Sequence, residues 1–258
     1  MVLVMDASAY AFTHGVRRTR ETLTLWQSRP LPVVGRWMLG SFVTAVAMLL
    51  AVLCVAAADR HVTLGLTLEP PFVAGGPSDV LGLLEHNGLV LALHAMACVA
   101  GFIAGSSLPL QADSHHGVSR WVHEHGGRIA IGFVVAATTF SLTAQTWVLG
   151  HTLAGVSGFL RISPALLLLS VLPHALIELT ALFLPLAAWI LASRRGEWDQ
   201  LLAATLVTLA IAIPMLVIAA LIEVYVSPHL FVALTGIQPP ITRTFGNLIV
   251  IVSTHPAH

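Results

Sequence analysis

The chain has 258 residues, of which 57% are hydrophobic and only 9% charged, against roughly 25% charged in an ordinary soluble domain. Mean hydropathy is +0.87, and a soluble domain of this size would lack the polar surface to cover itself. The composition therefore excludes a soluble enzyme, a disordered chain and a nucleic-acid binder, and points to a polytopic membrane protein. Twelve basic residues balance twelve acidic ones, and every basic residue is Arg. The zero net charge offers no long-range attraction to nucleic acid. The two cysteines, Cys54 and Cys98, lie inside apolar runs. Two cysteines build no disulfide framework and no Cys-based zinc site, so both read as small apolar side chains.

Residues 1–36 are moderately polar and hold Arg17, Arg18, Arg20, Arg29 and Arg36. The first apolar run lies too far in and is too long for a secretory signal, so no cleavable leader is expected. Phe12, Leu23, Leu25 and Trp26 stand among these arginines. Such a cytoplasmic or interfacial segment suits an anionic leaflet or a docking helix for a partner.

Five apolar runs follow, at 37–58, 88–108, 129–149, within 162–192, and at 201–225. A helix needs about 20 residues to cross a hydrocarbon core of about 30 Å. Four of the runs fit one crossing each. The fourth would be about 46 Å long as a straight helix, and it carries Pro164, Pro173 and Pro185. Proline disrupts helix interiors. Residues 162–172 therefore read as a short interfacial or re-entrant piece, and the span proper as 173–192. One long, tilted, kinked helix is the alternative. The fold class expected is an all-α membrane bundle of about five spans, the fourth broken by Pro. The transmembrane domain would cover 37–228, with an extracytoplasmic or interfacial tail at 229–258. The outer loop 59–87 is rich in Gly and Pro, and no independent domain is expected in it.

Arginine placement sets orientation. With the N-terminus inside, the inner segments hold the five N-terminal arginines plus Arg120, Arg128, Arg194 and Arg195. The outer ones hold Arg60, Arg161 and Arg243. Nine against three favours a cytoplasmic N-terminus.

An ionisable group in hydrocarbon costs at least roughly 2.5–3.5 kcal/mol on insertion scales, so such groups face the bundle interior and pair. Four stand out. His94 lies in the second span, His174 and Glu178 in the fourth, and Glu223 near the end of the fifth. His174 and Glu178 are at i and i+4 and project from one helix face. His94 lies about 9 Å from the outer end of its span. All four fall in the outer half, with Asn87 at the rim, and could meet in one polar cluster. Two uses compete. The cluster is a self-satisfied network that fixes helix packing, or it is functional. The functional forms are a metal site of His94, His174, Glu178 and Glu223, with zinc the divalent ion such ligands suit, a proton relay, or a small-ligand pocket. No other cofactor is indicated.

Other motifs carry less. His115, His116, His123 and His125 crowd one inner loop, which reads as a polar, solvated loop. His123-Glu124-His125 lacks the helix-face spacing of a metalloprotease. Gly155-Val156-Ser157-Gly158 matches a rhomboid-type Gly-x-Ser-Gly, but it reads as a turn. Pro214 predicts a kink in the fifth span. The tryptophans near span ends suit an interfacial belt.

The block Leu172-Pro173-His174-Ala175-Leu176-Ile177-Glu178-Leu179-Thr180-Ala181 resembles the Pro-His-Gly-x-x-Glu-Leu-Pro-Ala block of the stage II sporulation protein M membrane family (SpoIIM-like, DUF95). Ala219-Ala220-Leu221-Ile222-Glu223-Val224-Tyr225-Val226-Ser227-Pro228 is similar to that family's closing Ala-Ala-x-x-Glu-x-x-x-x-Pro. Glu85-His86-Asn87-Gly88 stands where the family usually has an Asn. The resemblance covers about residues 80–230. Ala175 replaces the family's Gly, and Thr180 its second Pro. The resemblance implies a multi-spanning plasma-membrane protein. The sporulation member acts in engulfment, in a membrane complex with peptidoglycan-degrading partners. The leading expectation is thus a scaffold or accessory subunit of a cell-envelope complex. Its partners would be membrane lipids, other membrane or envelope proteins and a second copy of itself. A small-solute or proton-coupled transporter comes second. A metal-dependent or serine intramembrane hydrolase comes third, so the reading leans away from an enzyme.

Overall fold

Helix dominates because long apolar runs in lipid leave backbone groups no partner except their own chain. The computed structural model describes residues 7–28, 30–59, 75–107, 117–237, 241–245 and 248–252. The expectations for loop residues 60–74 and for His115 and His116 lie outside the described residues, as do the side chains of His123 and His125. Helix α1 is Ala7–Ser28 and α2 is Pro30–Ala58. Helix α3, Pro77–Phe102, runs into a π-helical turn at Ile103–Ser107. Helix α4 is Gly117–Leu160 and α5 is Pro164–Arg195. A 3-10 turn, Trp198–Gln200, leads into α6, Leu201–Tyr225, and α7 is Ser227–Thr235.

Five helices are long and apolar enough to cross a membrane: Pro30–Ala58, Pro77–Gly105, Ile131–Leu160, Pro164–Arg195 and Trp198–Tyr225. Each of the five expected runs overlaps one of them. The all-α bundle of five spans is therefore found. The tail adds one two-stranded antiparallel hairpin, β1 Ile241–Phe245 and β2 Leu248–Val252, in register from Ile241↔Val252 to Phe245↔Leu248. Its run of Ile, Val and Thr suits the pleat.

Helix boundaries differ from expectation for local reasons. Helix α3 starts at Pro77, inside the expected loop. Proline is pre-organised for a first helical position, and the Gly76 N–H donates to Asp79 Oδ2 at 2.9 Å, one arm of a capping box. Helix α4 starts at Gly117, so the second half of the His-rich loop has helical backbone. The Gly155–Gly158 motif is not a turn but the last stretch of α4. That helix ends at Arg161, whose φ is 56°. There the Ile162 N–H reaches back to Ser157 O at 3.0 Å and Arg161 N–H to Gly158 O at 3.2 Å. This is a Schellman closure with Arg where glycine is favoured.

The fourth span is not broken. Helix α5 runs unbroken through Pro173 and Pro185, and Ser163 starts it by accepting the Leu166 N–H at 3.2 Å. Proline is tolerated inside a membrane helix where neighbouring groups satisfy the loosened turn.

The chain packs as two units. One comprises Met1–Thr44, Gly88–Ser141 and Thr180–Ile213, the other Ala45–Asn87, Leu142–Leu179 and Pro214–His258. In the first, the 181–192 stretch of α5 is the most buried, with Ala181, Leu184 and Ala188 fully enclosed. Position 101 must be glycine there, because a Cβ would stand 2.6 Å from Trp189 Nε1. The Trp198 ring covers Gly105 in the same way. Trp37 and Trp189 are only 6% and 3% exposed, so these two are packing residues rather than part of an interfacial belt. Small residues let the helices approach closely enough to enclose an indole.

The second unit has its own core, in which Val52, Ala56, Leu153, Ala154, Val156 and Leu167 surround Phe231. Helix α4 joins that core only through its last turns; between 131 and 149 no residue is buried. Phe231 lies on α7, in the segment expected to begin the tail. Gly236, at φ 69°, closes α7 by donating to Val232 O. Phe231 is fully enclosed, whereas Phe133 in the first unit is 72% exposed. Phe231→Ala should destabilise the protein by about 3 kcal/mol through the cavity it leaves. Phe133→Ala should change stability by less than about 0.5 kcal/mol. Denaturant unfolding of both variants in mixed micelles checks the contrast.

Candidate functional site: polar groups inside the spans

Each unit solves the problem of buried polar groups separately. In the first unit the focus is one turn of α5. Pro185 has no N–H to give the Ala181 carbonyl, and its ring crowds that turn. The carbonyls on either side of Ala181 each take a donor from another helix. Ser41 Oγ–H, on α2, donates to Thr180 O. His94 Nδ1–H, on α3, donates to Leu182 O at 2.8 Å. The Pro185 carbonyl itself accepts from Cys98 Sγ at 3.2 Å. Ser41 and Cys98 are fully buried. The carbonyl acceptor fixes a proton on His94 Nδ1. The His94 ring centroid lies 6.1 Å from that of Phe183.

In the second unit the polar groups pair side chain to side chain. His174 and Glu178 occupy one face of α5, four residues apart. Glu223 and Ser227 are likewise four apart on the facing segment. His174 Nδ1 and Ser227 Oγ share a hydrogen bond of 2.7 Å, the donor being set by the imidazole tautomer. His174 is 7% exposed and Ser227 fully buried. One helical turn on, Glu178 and Glu223 come close enough for their charges to interact, and the Asn87 amide is within hydrogen-bonding reach of Glu178. Both carboxylates are half-buried, and Asn87 is buried. The result is a two-rung antiparallel ladder, His174–Ser227 and Glu178–Glu223, with Asn87 of α3 closing the second rung.

Of the five residues expected to meet, the structure brings together Glu178, Glu223 and Asn87, and places His174 on Ser227. His94 is different: its hydrogen-bond partner is the α5 backbone at Leu182. Among the described residues, no three His, Cys, Asp or Glu side chains are grouped so as to hold a metal ion. The four-ligand set His94, His174, Glu178 and Glu223 is therefore not assembled as one metal centre. A proline-loosened turn competes for the imidazole, and a serine takes the other. Ser227 was not among the expected site residues. Its signal was present in the spacing, four residues after Glu223 as Glu178 is four after His174. Ser157 is buried in α4, and its hydroxyl donates to Ala154 O at 3.0 Å.

Comparison with known families bears on the second unit's ladder directly. The family model described as stage II sporulation protein M matches residues 126–228. Over this stretch the chain is SpoIIM-like. The SpoIIM-like stretch contains His174, Glu178, Glu223 and Ser227, and stops at Pro228. The resemblance expected from the sequence began near residue 80, so the Glu85–Gly88 piece and His94 lie outside the match. No curated protein and no solved structure matches the chain.

The role assigned to Pro185 can be measured. His94→Leu removes the donor to Leu182 O, which should destabilise the protein by about 1 kcal/mol. Pro185→Ala gives the Ala181 carbonyl its own backbone donor and removes the ring that crowds the turn, so the turn should depend less on donors from other helices. In that background the His94→Leu loss should fall to less than half. Unfolding free energies for the two single variants and the double variant decide it. Equal losses in both backgrounds would show that the proline turn and the imidazole are not coupled.

Proposed function

We propose that this SpoIIM-like, multi-pass membrane protein is a scaffold or accessory subunit of a cell-envelope complex, with the second unit's ladder as its structural centre. One observation carries the reading. The ionisable residues inside the spans of the SpoIIM-like stretch are engaged with side chains of their own unit: His174 with Ser227, and Glu178 with Glu223 and Asn87. Polar groups spent on one another in this way fix helix register and packing. The known engulfment role of the sporulation member supports a place among envelope proteins. The scaffold would sit in the plasma membrane with its N-terminus cytoplasmic, as the nine-to-three arginine asymmetry favours.

The reading separates from its rivals by experiment. His174→Ala and Ser227→Ala should each destabilise the protein by about 1 kcal/mol, and the double variant by little more than either single change. Glu178→Gln keeps the shape and hydrogen-bonding capacity of the side chain, so fold and co-purifying envelope proteins should survive it. pH-dependent protection by a small solute, abolished by Glu178→Gln, would instead establish a transporter. Stoichiometric metal in the purified protein, or labelling of Ser157 by a serine-reactive probe, would favour a hydrolase. For orientation, a single cysteine placed between residues 193 and 200 should react only with membrane-permeant reagents in intact cells. Reaction with an impermeant maleimide would reverse the topology.

A further inference from the structure

The first unit holds a cavity of about 210 Å³ that the ladder does not use. Trp26, Arg36, Trp37, Arg195, Glu197 and Gln200 are among the residues that line it. Its position follows from the chain. Arg36 lies near the start of α2, Arg195 ends α5, and Gln200 precedes α6. All three places are ends of candidate spans, where the hydrocarbon gives way to lipid headgroups. Arginine belongs at that depth, its guanidinium reaching the headgroups. Trp26 and Trp37 pack edge to face with centroids 5.1 Å apart, forming a rigid aromatic wall.

The charges in this cavity are not balanced. Arg195 Nη1 is 4.0 Å from Glu197 Oε2, a loose pair at the edge of ion-pair distance. Among the described residues Arg36 has no acidic partner. Two guanidinium groups, one carboxylate and one amide therefore leave a net positive site. A guanidinium fork matches the geometry of phosphate oxygens, and Gln200 offers a further donor. Basic pockets among span ends take anionic headgroups, whose acyl chains stay in the bilayer.

We propose that this cavity binds the phosphate-bearing headgroup of an anionic phospholipid, held by Arg36 and Arg195 against the Trp26–Trp37 wall. Glu197 is the competing anion: it occupies Arg195 when the headgroup is absent. Occupancy ties α1 to the ends of α2 and α5 through one lipid.

Full-length protein in detergent is titrated with phosphatidylglycerol, phosphatidylcholine and inorganic phosphate, and lipid retention is read by native mass spectrometry alongside the thermal midpoint. The expected result is retention of phosphatidylglycerol with a rise in the midpoint, and little effect from phosphatidylcholine or phosphate. Arg36→Gln with Arg195→Gln should weaken phosphatidylglycerol binding about tenfold or more, the loss of charge-assisted contacts. Arg17→Gln with Arg20→Gln removes the same charge from exposed positions on α1 and should leave binding unchanged. Glu197→Gln removes no cation and should tighten binding. It keeps the test decisive if the Arg36/Arg195 variant fails to fold. Equal weakening by both arginine pairs, protection by inorganic phosphate as strong as by lipid, or unchanged or weaker binding in Glu197→Gln would each overturn the proposal.

Discussion

A carbonyl or imidazole inside a bilayer has no water to turn to, so each must find its partner in the protein. This constraint orders the whole molecule. Its sharpest expression is the stretch of α5 from Thr180 to Pro185. A proline there would open a helix in water and let solvent fill the gap. Here Ser41, His94 and Cys98 each donate to a different carbonyl of this stretch, those of Thr180, Leu182 and Pro185. The helix runs on through its proline, and Ala181, Leu184 and Ala188 are fully enclosed around it. Position 101 is glycine for a related reason: the Trp189 indole needs the room that a side chain would take.

The second unit meets the same constraint with a different device. Its polar side chains answer one another rather than the backbone. The i, i+4 spacing is what makes this work. It sets two groups on one face of α5 and two on the facing segment, at the same axial step of about 6 Å. Two matched pairs then form from one relative placement of the segments. Ser227 is near the start of α7, so the ladder and the enclosed Phe231 both depend on where that short helix begins. The hydrophobic core and the polar ladder of this unit are thus linked through four residues of chain.

Much of the fold was legible because the signal is simple. Five long apolar runs can be little else than five spans, and every one was found. What was misread depends on neighbours. Pro173 and Pro185 look like breaks when read alone, yet the helix continues through both, and around Pro185 donors from other helices meet the carbonyls. Trp37 and Trp189 look interfacial by position along the chain, yet both are enclosed, Trp189 in the room that Gly101 leaves and Trp37 with its ring edge to face with Trp26. Pro77 looked like loop because Gly and Pro surround it, while the Gly76–Asp79 cap that starts the helix is a local signal that could have been weighed. For the candidate site, the i, i+4 pair on α5 was legible, and the proximity of Glu178, Glu223 and Asn87 followed from comparing depths. His94 was not legible, since depth says nothing about which way a side chain turns.

Helix α4 shows what the membrane does not demand. Phe133, Phe140 and Trp147 are 72%, 76% and 62% exposed, and in water such a surface would drive association. In lipid it is neutral, because acyl chains are as apolar as the side chains they replace. Apolar exposure along this span therefore says nothing by itself about a partner. The specificity of a membrane scaffold has to reside in polar groups and close-packed small residues. In this chain those are concentrated in α5 and in the helices that meet it. The SpoIIM-like stretch includes all of α5 and α6, and with them every member of the ladder except Asn87. The stretch that the family model matches thus holds both partners of each rung of the ladder.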